Sequence, residues 1–357
     1  GPKYFIPKPV DPRLITEVSA AVAKAAIESG VARKTITDWD EYKNRLKQML
    51  GQETKFTRTL HATAALHPQR VVFAEGGHQT MMKAAVTALQ EGICHPILLG
   101  NPDRLNRLAK RLKLDLTGVE IVDMRADKEQ GRRATYAKHL AEKRARQGVT
   151  FEEAYDKMYE RNYFGMSMVE QGDADAFITG LYTKYSNTIK VAKEVIGVRK
   201  DYNTFATMHI LNSKRGAIYV ADTLINRHPN QDVLYDVARL SEHTVKFFNQ
   251  DPVIAMVSYS NFGTDEVGSP VAVHQAVEKL QHDFPDMVVD GEMQVNFALN
   301  RELRDDKYPF TRLKGKDVNT IVFANMNAAN SSYKLIQALD PDCEIVGPVQ
   351  MGLNKPI

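Results

Sequence analysis

Between residues 70 and 122 the chain repeats one unit: a short apolar run, a turn, then a helix. RVVFA at 70–74 leads into the turn Glu75-Gly76-Gly77 and a helix over 78–90 stopped by Gly92. A strand at 96–99 follows, then a basic helix to about 113 capped by Asn101-Pro102-Asp103, then a strand at 119–122. Because every crossover carries a helix, successive strands are expected to pair in parallel, and the fold class is α/β.

The rest of the chain fits around that repeat. Residues 4–13 hold three prolines, Pro7, Pro9 and Pro12, and read as an extended tether. Asp11-Pro12 opens an amphipathic helix that runs to Gly30, and a second helix over about 38–50 carries Trp39, the chain's one tryptophan. Polar residues from there to Pro68 read as a linker. A charged helix over 128–147 bears Arg132, Arg133, Arg144 and Arg146, and TFEE at 150–153 is a capping box. A strand at 176–179 and a helix over 186–198 bearing Lys190 come next. Beyond Lys200 a second sheet is expected: strands at 204–211, 217–221, 253–257, 287–289, 320–324 and 344–346, with helices over 230–249 and 268–283. Asp290-Gly291-Glu292 reads as a turn, the charged stretch after Leu299 as a loop, and Asn325, Asn327 and Asn330 precede or open a helix near Ala328.

At 357 residues the chain exceeds one ordinary core, so two domains are expected. A formal charge of +3 gives no support to nucleic-acid binding, and no apolar run is long enough to span a bilayer. There is no signal peptide, and a cytoplasmic location is the default expectation. Cys94 and Cys343 lie far apart without metal-ligand spacing and read as reduced, buried thiols. His61, His67, His78 and His95 form no i, i+4 pair, so no metal is expected, and no GxGxxG opens a βαβ unit, so no nicotinamide either. The leading Gly1-Pro2 reads as the remnant of a cleaved tag, and the expectation is a piece of a longer protein.

The stretch VIAMVSYSNFG at 253–263 is a buried strand running into Ser258, Tyr259, Ser260, Asn261, Phe262 and Gly263. Small hydroxyl and amide residues with a glycine can wrap a phosphate or an acyl oxygen at the carboxyl end of a strand. The same residues are ordinary turn formers, and both readings stand at this point.

Taken with FITGLYTKYSNTIK, VVDGEMQVNFAL, TIVFANMNAANSSYKLIQ and GPVQMGLNKPI, that stretch resembles the phosphate acetyltransferase family from about residue 70 onward. The resemblance implies a three-layer α/β/α, two-lobed fold of the isocitrate/isopropylmalate dehydrogenase type. The front end, with IPKPVDPRL and DWDEYKNRL, is similar to the junction in large NADP-dependent malic enzymes, where a phosphotransacetylase-like domain follows the catalytic region. On that reading residues 1–13 are a tether and 14–67 a helical linker region. Residues 68–201 with 348–357 make lobe I, and 202–347 make lobe II.

What the resemblance implies about chemistry is mixed. Arg144 stands where the family has an active-site arginine, but Lys190 replaces a second one, keeping charge without the bidentate fork. Phe262 stands where the family usually has a lysine. The family's serine-arginine motif and aspartate would fall after Ile357. The expectation is an acetyl-CoA-binding allosteric domain with no catalytic residue of its own. Its ligand-binding set would be Arg144, Lys190, 258–263, Asn325, Asn327, Asn330 and Gly352. Acetyl-CoA is then an effector, NADP and a divalent metal belong to the absent malic enzyme region, and a homodimer forms, with higher assembly in the full enzyme. Two rival readings are an active phosphate acetyltransferase and a purely structural oligomerisation module.

Overall fold

The computed structural model describes residues 14–39, 42, 46, 55–213, 216–340 and 343–357. The proline tether and most of the helix expected around Trp39 lie outside these residues. Two compact units are present, Gly1–Thr63 and Ala64–Ile357. In the first, a π-helical turn Leu14–Val18 leads into α1, Ser19–Glu28, which is followed by Gly30 at positive φ, as the sequence predicts. Residues read as a linker instead form α2, Lys55–Leu66.

The larger unit holds two sheets. The first has four parallel strands in the order β3-β2-β1-β4, with β1 Gln69–Phe73, β2 Cys94–Leu99, β3 Glu120–Val122 and β4 Ala176–Ile178. Val72, Ile97, Leu99 and Val122 face Tyr136, Leu140, Phe164 and Val191, from α5 Gln130–Arg144, α7 Arg161–Gln171 and α8 Tyr185–Val195. Phe73 and Leu98 face the other way, onto Met82 and Leu105 from α3 Gln79–Gln90 and α4 Pro102–Leu112. Helices therefore cover both faces, which is why these strands read as nearly continuous apolar runs. Short α6, Phe151–Lys157, opens with the expected capping box between Thr150 and Glu153.

The second sheet has six strands in the order β10-β5-β6-β9-β7-β8. They are β5 Ala206–Ser213, β6 Gly216–Ala221, β7 Ile254–Val257, β8 Val289–Met293, β9 Thr320–Phe323 and β10 Glu344–Met351. β6, β9, β7 and β8 are parallel, while β5 and β10 extend the sheet antiparallel. Ala255 and Val257 of β7 sit in a core with Ile321, Phe323, Ala329 and Tyr333, and the intervening Ile254 and Met256 are fully buried too. α9 Gln231–Phe247, α10 Ser269–Asp283 and α13 Met326–Leu339 flank this sheet.

Three further readings are corrected. Asp290, Gly291 and Glu292 lie inside β8 and are buried. The charged loop contains two helices, α11 Val295–Leu299 and α12 Arg301–Lys307. Within α12 Arg304 is fully buried and donates to the carbonyls of Ala298, Leu313 and Lys316, so a cation with its donors satisfied replaces the apolar stripe a sequence scan looks for. The last strand runs past Gly347-Pro348 to Met351, because a register shift between Val346 and Val349 takes the proline out of the ladder with β5. Residues 348–351 thus belong to the second sheet, and the chain rejoins the first lobe after Gly352.

That return is specific. Leu353 enters the first lobe's core, Asn354 N donates to the Gly197 carbonyl at 3.1 Å, and Phe177 N donates to the Pro356 carbonyl at 3.2 Å. Gly352 turns the corner at φ +88°, where a Cβ would meet Leu240 Cδ1 at 3.0 Å. Gly352→Ala is expected to cost about 2 kcal/mol of stability, from strain plus overpacking. Denaturant unfolding measures it, and an unchanged midpoint would show that the corner relaxes freely.

Candidate functional site

Building the site starts with the loop after β7. Ser258 N donates to the Met293 carbonyl at 3.0 Å, which keeps the chain in register with β8 for one more step. The loop then folds over Glu292, which is fully buried at the end of β8. Glu292 Oε1 accepts from Gly263 N and from the Ser260 hydroxyl at 3.3 Å, and the Glu292 carbonyl accepts from Phe262 N at 2.8 Å. Asn261 is buried, its Oδ1 accepting from Gln294 N at 2.8 Å, while the Gln294 side chain donates to the Tyr259 carbonyl. Tyr259 is exposed and donates to Asp265 at 2.9 Å. Phe262 takes the left-handed conformation at φ +46°, with its ring 4.9 Å from those of both Tyr308 and Phe310. The loop's polar groups are therefore largely committed to bracing the loop itself.

The asparagines after β9 also have structural duties. Asn325, not Asn327 or Asn330, is the N-cap of α13, its Oδ1 accepting from Ala328 N at 3.0 Å. Asn330 Nδ2 donates to the Thr223 carbonyl at 3.1 Å, and Asn327 is exposed. Thr223 is part of a buried network absent from the sequence reading. Asp222, just past β6, accepts from Thr207 N and its hydroxyl, each at 3.0 Å, and from Leu224 N, Ile225 N and Asn226 N. The Thr207 and Thr223 hydroxyls lie 3.0 Å apart, and His209 Nδ1 sits 2.8 Å from Thr223 Oγ1 with its ring stacked on Tyr333 at 4.1 Å. Burial, helped by Lys334, lowers the His209 pKa to about 4.

Arg144 and Lys190 gather on the first lobe around Glu194. Tyr163 donates to Glu194 at 2.7 Å, Lys157 lies 3.3 Å away and Lys190 3.9 Å away. Burial alone would raise the Glu194 carboxyl, but the Tyr163 hydroxyl, Lys157 and Lys190 outweigh it and hold the pKa below the ordinary value. Burial and then Glu194 push Tyr163 up, with the Arg144 guanidinium pulling the other way, which puts Arg144 in the same cluster. Arg144 Nε is buried without a hydrogen-bond partner, and Lys190 is mostly exposed. Among the described residues no hydrogen bond or ion pair joins Arg144 or Lys190 to residues 258–263. Tyr185 of α8 lies within electrostatic range of the second lobe, its pKa raised by partial desolvation and then by Asp222 and Tyr333.

The acids that organise this region, Glu75, Asp222 and Glu292, escaped the sequence reading. Glu75 and Asp222 directly follow apolar strand runs, VVFAE and YVAD, and Glu292 follows one after two intervening residues in VVDGE, and that proximity was the available signal.

The phosphate acetyl/butaryl transferase family matches residues 55–357. The chain is similar over its whole length to the NADP-dependent malic enzymes of Escherichia coli, at 36% identity, and Salmonella typhimurium, at 35%, covering 47% of each. It thus spans about half the length of these curated relatives. A phosphate acetyltransferase of Thermoanaerobacterium thermosaccharolyticum is 30% identical over 82% of this chain and 90% of that protein. The solved structure of a Staphylococcus aureus EutD phosphotransacetylase superposes with a TM-score of 0.75 at 26% identity, over 84% of this chain and 91% of that one.

His209 yields a pH prediction. Its folded pKa lies below the ordinary value near 6.5, so the unfolded chain binds the extra proton between those two values and stability falls as pH drops through that window. The thermal midpoint should decline from pH 7 to pH 5 more steeply in the wild type than in His209→Gln. Equal slopes would remove His209 as the cause.

Proposed function

The chain belongs to the phosphate acetyl/butaryl transferase family, and from that premise we propose that it is an acetyl-CoA-binding regulatory region of a malic enzyme, itself making no acetyl phosphate. The observation that carries this reading is the state of the 258–263 loop. Where the family usually carries a lysine, Phe262 packs against Tyr308 and Phe310, while Gly263 N and the Ser260 hydroxyl are engaged by Glu292. Acyl transfer to phosphate needs cations and unengaged donors aimed at the developing charge, and binding a neutral thioester needs far less. The end-to-end match to malic enzymes supports the regulatory context.

In this reading acetyl-CoA lies between the lobes. Its acyl end is near 258–263 and the asparagines at 325, 327 and 330, and an anionic or carbonyl group accepts from Arg144, whose Nε is free to donate. Lys190 adds charge, and Gly352 fixes the corner that closes this end of the cleft. A homodimer in the cytoplasm, covalently linked to an NADP- and metal-dependent catalytic region, completes the proposal.

A coupled assay of this chain with acetyl-CoA and phosphate should show no acetyl phosphate above background. Turnover near one per second would instead establish a working acetyltransferase. Calorimetric titration should show acetyl-CoA binding that Arg144→Glu weakens at least tenfold, about 1.4 kcal/mol. Absence of binding would leave the structural-module reading. In a malic enzyme carrying this region, acetyl-CoA should inhibit malate decarboxylation, and Arg144→Glu should relieve the inhibition with the reaction itself preserved. That requires acetyl-CoA to bind two conformations of the enzyme unequally, since equal affinity shifts nothing.

A further inference from the structure

The first sheet has its own concavity, at the carboxyl ends of β1, β2 and β3, with a volume of about 550 Å³. It shares no residue with the 258–263 loop. At its inner wall stands Glu75, only 1% exposed. One carboxylate oxygen is fully used: Oε1 accepts from the Thr179 hydroxyl at 2.9 Å, Gly180 N at 3.2 Å and Leu181 N at 3.3 Å. The other, Oε2, is buried and has no partner. Gly76 beside it admits no side chain, because a Cβ there would meet the Leu99 carbonyl oxygen at 2.8 Å.

A buried carboxylate oxygen without a donor costs free energy that a ligand hydroxyl or amine can recover. The charges around it select the rest of that ligand. Arg104, Arg125 and Arg161 line the cavity against Glu75 and Asp123, three positive charges to two negative. Asp123 is partly occupied already, accepting from Asn101 Nδ2 at 3.2 Å and Arg125 N at 3.1 Å. Arg161 stacks its guanidinium 5.3 Å over the Tyr182 ring, which fixes one cation at the rim. The cavity lies beside the point where strand order reverses, between β1 and β4, where open α/β sheets collect ligands. Its volume is that of a small-molecule site.

We propose that this cavity is a second binding site, for a phosphorylated hydroxyl compound whose phosphate lies on Arg104, Arg125 and Arg161 while a hydroxyl donates to Glu75 Oε2. The chemistry is shared by a free sugar phosphate and by the phosphorylated ribose of a nucleotide. A divalent cation does not fit, since no metal-ligating cluster occurs among the described residues.

Calorimetric titration of the whole chain with ribose 5-phosphate, adenosine 3′,5′-bisphosphate and inorganic phosphate tests the proposal. At least one hydroxyl-bearing compound should bind at submillimolar concentration and at least tenfold tighter than inorganic phosphate. Binding by the bisphosphate alone would assign the site to nucleotides, and binding by ribose 5-phosphate to sugar phosphates as well. Arg104→Ala and Arg125→Ala, at exposed positions, should each weaken binding about tenfold. Glu75→Gln should collapse the advantage over inorganic phosphate. Arg144→Glu should leave this binding intact, which separates it from the acetyl-CoA reading. The proposal is overturned if none of the probes binds, if inorganic phosphate binds equally well, if both arginine variants bind as wild type, or if only Arg144→Glu abolishes binding.

Discussion

A carboxylate withdrawn from water must be surrounded by donors, and three such groups hold together the loops at the strand ends of this protein. Glu75 after β1 accepts from the loop after β4. Asp222 after β6 accepts from Thr207 on the neighbouring strand and from three successive backbone amides that follow it. Glu292 in β8 accepts from the loop after β7. Glu75 and Asp222 stand just past their strands and Glu292 lies inside β8, and each accepts from polar groups of a loop, so the loop backbones are fixed by charge-assisted hydrogen bonds rather than by apolar packing, which short polar loops cannot supply. Removing Asp222 would leave four backbone amides without that acceptor, removing Glu75 two, and removing Glu292 one amide and a hydroxyl.

The second constraint is the way the two lobes are joined. The chain crosses between them near Val198 and again near Leu353, and these two crossings form an antiparallel bridge. Arg199 N donates to the Gly352 carbonyl at 2.9 Å and Asn354 N to the Gly197 carbonyl at 3.1 Å, while Phe205 and Leu353 are buried in the first lobe's core. Any relative rotation of the lobes has to bend this short bridge. Hinges of that kind concentrate a conformational change in a few residues and leave both cores intact. A ligand contacting both lobes would act on it directly.

How much of this was legible in the sequence depended on the range of the interactions involved. The first lobe could be read strand by strand, because each apolar run there is followed by its own helix and β1, β2 and β3 pair in sequence order. β10 was seen only as far as Val346, since Gly347-Pro348 argues against a strand and the pairing that overrides it lies on β5, some 140 residues earlier. Helix α12 was missed because buried Arg304, satisfied by three carbonyls, takes the place of an apolar stripe. At the candidate site, the sequence named the segments but not the hydrogen bonds they make within the fold. Ser260, Asn261, Asn325 and Asn330 were read for what they could offer a ligand, whereas in the fold they first serve each other and the acids. That priority is invisible without knowing which carboxylates are buried beside them.

The proposed loss of acetyl transfer follows from the same priority. Each preorganised donor aimed at a developing oxyanion is worth about 3 kcal/mol, but only if it is not already bonded in the ground state. Gly263 N and the Ser260 hydroxyl are bonded to a buried carboxylate, and releasing them would leave Glu292 only the His274 ring 3.5 Å away. Arg144 Nε remains as a buried donor with no partner, on the opposite lobe. One unpartnered guanidinium donor can orient a carbonyl or a phosphate. Acyl transfer to phosphate draws on several cations and amides at once, and the proposed loss of transfer rests on that difference.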